Sequence, residues 1–540
     1  MPNGPADANQ IRAYDYTVAR LSRRQLMRLA SLAGASITAA PLASARSLLA
    51  QSPSTVRLGA FPFTLGVASG DPLPGGVVLW TRLAPQPLEG GGMPMANVEV
   101  GWEVANDTSF RTIVRKGTEI ARPELGHSVH ADVLGLEPGH EYFYRFHAAG
   151  EVSQTGRTRT APASGASVDR LRFGVCGCSH FESGFFTAYQ RIAEERFDFV
   201  FHTGDYIYEG RGDSTRAGRV RHHHGDEIYT LVDYRNRYAQ YKTDPDLMAA
   251  HASAPFIVSW DDHEVDNDYA GPLDERDTPS ELFLLRRAAA YQAYYESMPL
   301  RTTSMPSGPN MRIFRHLAFG RLIDFHVLDT RQWRSKQACG GGSRSDCAEA
   351  LSPQRTILGR EQEAWLFDRL ASADRTWTVI GQQVPTYARD SIATNPAARL
   401  SMDKWDGYAA SRQRLYERLI ETRAPNPVVL SGDVHLAFGA DLKMDYTNPK
   451  SQTVGVELTN TSITSGSDGS DVSATWDRFR VDNAHIKYHS ARRGYIACTA
   501  TPAHLRADFK VLERVTVAGN AARTGGSFIV EAGSPGLVTS

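Results

Sequence analysis

Short apolar runs separated by turn residues dominate residues 58–160. Gly76-Val77-Val78-Leu79-Trp80-Thr81 is continuous, and Val98-Glu99-Val100-Gly101-Trp102-Glu103-Val104 alternates with period two; these are the patterns of strands buried on both faces or on one. Two further runs, 129–133 and 141–146, are parted by the turn Glu137-Pro138-Gly139. About seven strands in about a hundred residues, with no helical period, predict a β-sandwich of the fibronectin or immunoglobulin type over 58–160. An Ala- and Ser-rich stretch, 161–169, reads as a linker. The pattern then changes. Leu171-Arg172-Phe173-Gly174-Val175 predicts a buried strand, 185–195 a helix, and Phe197-Asp198-Phe199-Val200-Phe201-His202 a second strand. Strand, helix, strand predicts an α/β unit with its site at the strand ends. More apolar strands are predicted at 256–260, 322–328, 377–380 and 428–431, giving a second domain over 170–515.

Ahead of these elements, the apolar run 29–45 is too short and too rich in Ala and Ser to span a bilayer well. It follows Ser22-Arg23-Arg24-Gln25-Leu26-Met27-Arg28 and ends in Ala43-Ser44-Ala45. Residues 1–45 therefore read as a twin-arginine signal peptide, with Leu26 where such signals most often carry Phe. The expectation is a protein exported by the twin-arginine machinery, secreted or periplasmic, with no transmembrane segment in the mature chain. Composition adds exclusions. The chain has 540 residues, 22% of them charged, and a formal net charge of −1. That excludes a collagen, a disordered chain and a polytopic membrane protein, and leaves no basic block for nucleic acid. Five cysteines are too few to be the scaffold of a secreted chain. Cys339 and Cys347 flank a Gly-rich loop and are expected to bridge; Cys498 is expected to be a buried thiol.

Metal-ligand residue types recur just after the apolar strands: Cys178-Ser179-His180, Gly204-Asp205-Tyr206-Ile207-Tyr208-Glu209, Asp261-Asp262-His263-Glu264 and Gly432-Asp433-Val434-His435. Carboxylates, imidazole, thiol and phenol at strand ends can converge on one point, where bound cations offset the cost of burying them. Cys176 competes with Cys178 as the thiol, and Tyr206 with Tyr208 as the phenol. His222-His223-His224 lies in an Arg- and Gly-rich stretch and reads as a solvated loop. The acidic run 261–268 lacks the central Gly and closing Glu of an EF-hand. Ser401-Met402-Asp403-Lys404 matches S-x-x-K without its partner motifs and is taken as chance, and no G-x-S-x-G follows a strand.

In order and type these blocks resemble the calcineurin-like metallophosphoesterases, and Gly204-Asp205-Tyr206-Ile207-Tyr208 resembles the G-D-x-x-Y of purple acid phosphatases. More narrowly the chain is similar to PhoD-type alkaline phosphatases. The blocks that carry this are Ala68-Ser69-Gly70-Asp71-Pro72, Val78-Leu79-Trp80-Thr81-Arg82, the Asp205 block, Trp260-Asp261-Asp262-His263-Glu264, Leu328-Asp329-Thr330-Arg331-Gln332, Trp405-Asp406-Gly407-Tyr408 and Ser431-Gly432-Asp433-Val434-His435. The resemblance covers about 58–515 and implies an α/β architecture: a metallophosphoesterase αββα sandwich behind the N-terminal β-sandwich. Against the general pattern, Cys178 stands for the first Asp, Asp262 for the Asn of G-N-H-E, Gln383 for a His, and Asp433 for the first His of G-H-x-H. The resemblance favours Cys178 and Tyr208 over their rivals. Thiolate, phenolate and His435 suit ferric iron, while Asp and amide oxygens suit calcium. The implied cofactors are thus Fe(3+) and Ca(2+), with metal ligands Cys178, Asp205, Tyr208, Asp262, Gln383, Asp433 and His435. For Gln383 a plain hydrogen bond stays open. Catalysis falls to Asp262 and to His263, which contacts the phosphate or donates a proton, with Asn267 and Arg82 as phosphate contacts. The expected function is hydrolysis of phosphate mono- or diesters by a metal-activated hydroxide. A phospholipase D-like hydrolase on the same scaffold and a non-catalytic phosphate- or metal-binding surface protein are the alternatives.

Overall fold

The computed structural model describes residues 58–213, 215, 218–391, 398–473 and 476–540; the stretch expected to be a twin-arginine signal, 1–45, lies outside them. Eight strands open the described chain: β1 (Val67–Leu73), β2 (Gly76–Arg82), β3 (Val98–Ala105), β4 (Ile113–Ala121), β5 (Ser128–Leu134), β6 (Glu141–Ala148), β7 (Glu151–Val152) and β8 (Gly156–Arg159). Strands β3, β4, β6, β7 and β8 form one antiparallel sheet, and β1, β2 and β5 lie in another. The two layers close on a shared core in which Tyr142, Tyr144 and Phe146 of alternating β6 meet Val77 and Leu79 of β2 and Val129 of β5. These strands are not walled off from the α/β segment, because β1 pairs in parallel with one of its strands, Gly70 opposite Phe256.

That segment runs β9 (Leu171–Cys176), α1 (Thr187–Glu194), β10 (Phe199–His202), α2 (Leu231–Lys242), α3 (Pro245–Ser253), β11 (Pro255–Val258) and α4 (Ser280–Ser297). Then come β12 (Arg315–Phe319), β13 (Ile323–Val327), β14 (Ser343–Arg344), α5 (Arg360–Ala371), β15 (Trp377–Gly381), β16 (Leu400–Ser401), α6 (Ala409–Glu421), β17 (Pro427–Ser431), β18 (Ala437–Lys443) and β19 (Thr453–Thr459). The chain closes with α7 (Trp476–Asp482), β20 (Ile486–Ser490), β21 (Arg493–Ala500), β22 (His504–Leu512), β23 (Ala522–Glu531) and β24 (Ser534–Thr539). A ten-stranded sheet has the order β24-β23-β22-β21-β9-β10-β11-β1-β2-β5, and a seven-stranded sheet the order β12-β13-β15-β17-β19-β18-β20. The sheets face each other across an apolar layer that includes Val175, Phe199, Phe201, Phe325, Val379 and Leu430. Alternate residues of β9–β11, among them Cys176 and Val200, turn outward under helices α1–α4. The outer face of the second sheet packs on α5 and α6 through Leu366, Leu370, Leu415 and Leu419. Burial on both faces is why these strands are nearly continuous apolar runs.

Two differences from the sequence reading concern extent. The chain does not leave the fold at 515: β23 and β24 extend the ten-stranded sheet and bring Phe528, Val530 and Leu537 into the inter-sheet layer. Three of the first eight strands, β1, β2 and β5, share a sheet with the α/β segment, a pairing between residues far apart in sequence that local periodicity does not carry. Cys339 and Cys347 are bridged, and Cys498 is buried. Among the described residues no helix is long and apolar enough to cross a membrane.

Candidate metal centre

The cluster is assembled from the turns that succeed β9, β10, β11 and β17. Four of its residues sit in left-handed backbone: Cys178 (φ 58°), Asp205 (φ 54°), Asp433 (φ 69°) and His435 (φ 56°). Such conformations cost on the order of 1 kcal/mol or more each in a non-glycine residue and gather where function over-determines the backbone. Gly204 (φ 115°) makes the close approach possible, since a Cβ there would lie 2.4 Å from the Asp261 nitrogen. Glu264 ties two of the turns together by accepting N–H bonds from Asp205 (3.1 Å), Tyr206 and Asp261 (2.8 Å). Its burial raises its pKa to about 8.

Among the described residues three groups bring ligand atoms within 4.8 Å of one another: Cys178, Asp205 and His435; Asp205, Asp262 and His263; Asp261, Asp262 and Asp433. Asp205 belongs to the first two and Asp262 to the last two, so the groups form one chain of sites. Tyr208 completes the first. Its hydroxyl donates to Asp205 Oδ2 (2.9 Å), lies 3.0 Å from His435 Nε2 and accepts from Ser465 Oγ (2.6 Å). The other oxygen of Asp205 is buried with no hydrogen-bond partner, and an orphaned carboxylate oxygen inside a protein calls for a cation. Burial, reinforced by Asp205 and other carboxylates, pushes the Cys178 thiol well above its ordinary pKa. Burial with Asp205 and Cys178 does the same to the Tyr208 phenol. Both stay protonated unless a strong Lewis acid takes them as ligands. The donor set therefore fits a bound cation.

His263 lies tilted over Tyr208, 4.1 Å between ring centroids, and places Nδ1 2.7 Å from Glu209 Oε2. Burial disfavours its charge, but Glu209, Asp205 and Asp262 outweigh that and hold its pKa well above the usual imidazole value. At the far end of the chain of sites, fully buried Arg331 reaches Asp261, Asp433 (2.9 Å) and Asp403 (3.0 Å). Lys404 pairs with Asp403 (2.9 Å) and Asp433.

The structure thus brings together Cys178, Asp205, Tyr208, Asp262, His263, Asp433 and His435. It does not bring in the others. Gln383 is spent on hydrogen bonds: its Oε1 accepts from the Thr330 nitrogen and hydroxyl, and its Nε2 donates to Ser259 Oγ and Leu328 O. That makes it a tie between strand ends. Arg82 is buried elsewhere, donating to Gly126 O and Arg235 O. Asn267 binds Glu275 through its amide and Glu209 through its N–H, so it steadies the partner of His263. Of the rivals, Cys176 faces the outer helical layer, and Tyr206 turns to His251. The histidine triplet is only partly solvated. His222 and His224 are exposed, whereas His223 is buried against Gly210 O and Tyr241 Oη. Sequence reasoning missed Asp261, Glu209, Arg331 and Lys404. The first three lie inside or beside blocks already singled out, and Lys404 closes the S-x-x-K match set aside as chance.

Comparison with known proteins agrees with this geometry. A family model described as PhoD-like phosphatase matches residues 173–509, and one described as PhoD-like phosphatase, N-terminal domain, matches 49–162. The chain is 49% identical over 479 residues to alkaline phosphatase D of Bacillus subtilis (strain 168), covering 88% of this chain and 82% of that protein. A solved structure of PhoD superposes with a TM-score of 0.88 at 48% identity, covering 90% of this chain and 93% of the other. Fold, clustered ligands and relatives together define a phosphoric ester hydrolase. Within that class, the chain belongs to the PhoD-like phosphatases.

Proposed function

We propose that the cluster is a mixed iron–calcium centre that hydrolyses phosphate mono- and diesters outside the cytoplasm. The observation that carries this is the buried convergence of the Cys178 thiol, the Tyr208 phenol and His435 on Asp205, whose free oxygen points to a shared cation. Cys178, Tyr208, Asp205 and His435 would hold ferric iron; the oxygens of Asp205, Asp262 and Asp433 would hold calcium. Cations bound there supply Lewis acidity, which acidifies water and offsets negative charge developing on the phosphoryl group.

The protein's own groups do the rest. Glu209 holds the proton on His263 Nδ1 and turns the opposite edge of the ring towards the cluster, where Nε2 gives its proton to the departing alkoxide. Arg331 pairs with Asp261, Asp262 and Asp433 and fixes them in register. Glu264 fixes the spacing of the Asp205 and Asp261 turns. Under this reading residues 1–45 are the twin-arginine export signal, 58–160 an immunoglobulin-like layer, and 170–515, together with the edge strands β23 and β24, the metallophosphoesterase body. Elemental analysis of enzyme purified from its export pathway, with turnover of p-nitrophenyl phosphate and bis(p-nitrophenyl) phosphate, tests the reading. Iron and calcium should co-purify with activity, and chelating calcium should abolish it reversibly; stoichiometric zinc without iron would refute the assignment.

A further inference from the structure

The Cys339–Cys347 disulfide lies outside the cluster, yet the loop it closes grips the segment that carries Lys404. Inside the loop, β14 pairs antiparallel with β16, Arg344 opposite Leu400, and the Met402 N–H donates to Gly342 O at 2.8 Å. Cys347 packs with Leu400 and Met402 against Ala338 and Ala350. The Cys339 N–H donates to Glu349 Oε2 (2.7 Å), and Glu349 pairs with Arg355, which donates to the carbonyls of Lys336 and Gly407. On the other side, Gln337 Nε2 donates to Asp403 Oδ1 at 3.0 Å. Asp403-Lys404 is therefore held from two sides, by the loop the disulfide closes and by Gln337 two residues ahead of it, and Lys404 in turn sits on Asp433. Among the described residues the loop's other hydrogen bonds are local ones, Arg344 Nε to Cys339 O and the Gly341 N–H to Ala338 O among them. Gly340, Gly341 and Gly342 are consecutive left-handed residues, and a Cβ at any of them would meet no atom closer than 3.7 Å. Such a stretch carries high conformational entropy when the loop is not covalently closed.

We propose that the disulfide positions Lys404, fixing its ammonium at the Asp433 edge of the cluster, where it binds a phosphoryl oxygen of the substrate. Cys339 and Cys347 are then positioning residues acting through Lys404. The inference rests on the reading of the cluster as a phosphatase centre.

A double-mutant cycle on the metal-loaded enzyme tests it. Cys339→Ser with Cys347→Ser should raise KM for bis(p-nitrophenyl) phosphate about tenfold with a smaller effect on kcat, and weaken inhibition by inorganic phosphate to match, with iron and calcium content unchanged. Lys404→Met should lower kcat/KM by about a hundredfold. Adding the cysteine changes to Lys404→Met should cost less than about twofold more, because the positioned group is already gone. Ser343→Pro, which breaks the β14–β16 ribbon but keeps the disulfide, should show the same dependence on Lys404 and serves if the cysteine variant does not fold. A loss of equal size with and without Lys404, or no loss from the cysteine changes, overturns the proposal. A parent enzyme without metal or turnover would instead overturn the phosphatase-centre reading beneath it.

Discussion

Cys176 and Cys178 stand two residues apart and face different worlds. Cys176 ends β9 under the helices; Cys178, in left-handed backbone one turn on, enters the cluster. Cys178→Ala should lose the iron and most phosphodiester turnover, whereas Cys176→Ala should keep the metals and lose about 1–2 kcal/mol of stability. Metal content and turnover of the two variants, measured side by side, decide; iron lost from Cys176→Ala alone would reverse the assignment. Gly204 makes a second prediction. With φ at 115° and a Cβ that would strike the Asp261 nitrogen, Gly204→Ala must push apart the turns that bear Asp205 and Asp261. It should cost about 2–4 kcal/mol and reduce metal affinity, read by thermal melts and by chelator competition.

At the scale of elements, the last two strands matter more than their place at the end of the chain suggests. Removing residues 516–540 would strip the partner of β22 and uncover Phe509 and Leu505, which β23 and β24 help to cover with Phe528, Val530 and Leu537. Such a truncation should give insoluble protein or a melting temperature lower by about 10 °C or more; soluble protein with unchanged melting would contradict the account. The same strands show what a sequence can and cannot say. Strands β9–β11, β13, β15 and β17 are legible because burial on both faces writes them as apolar runs, and their terminal Asp, His and Cys residues stand out against that background. Strands β23 and β24, alternating and half-exposed at a sheet edge, give no such contrast. Gln383, for which sequence leaves ligation and a plain hydrogen bond open, makes hydrogen bonds, and Asp261, to which sequence gives no part of its own, joins the acidic group, for a related reason. Both sit at strand ends, and only three-dimensional neighbours reveal that Thr330, Ser259 and Leu328 saturate the amide while the carboxylate meets Asp262 and Asp433. Nor can a local motif show that β1 pairs with β11, more than a hundred residues away.

The molecule as a whole holds several neutral histidines deep in its core. Burial lowers the pKa of His130 to about 4, and of His202 and His326 to about 3. In the unfolded chain each would titrate near 6.5, so below that pH the unfolded state takes up protons that the native state refuses. Their contribution to stability is complete above about pH 7 and is lost as pH falls towards 3–4. Calorimetry should find a melting temperature insensitive to these groups from pH 7 upward and falling between about 6.5 and 4. His326→Phe should make that fall shallower; an unchanged slope would remove His326 from the account. One feature of the large sheet reaches beyond equilibrium. Its central strands β9, β10 and β11 are flanked by β1 from one end of the chain and β21 from the other. On a ribosome making about 5–20 residues per second, the ~320 residues from Leu171 to Arg493 emerge over roughly 15–65 s. Through that interval one edge of β9 has no strand to receive its hydrogen bonds. A nascent chain of this protein must therefore wait, exposed, for its own far end, and a holdase that covers such edges should raise its yield more than faster translation would.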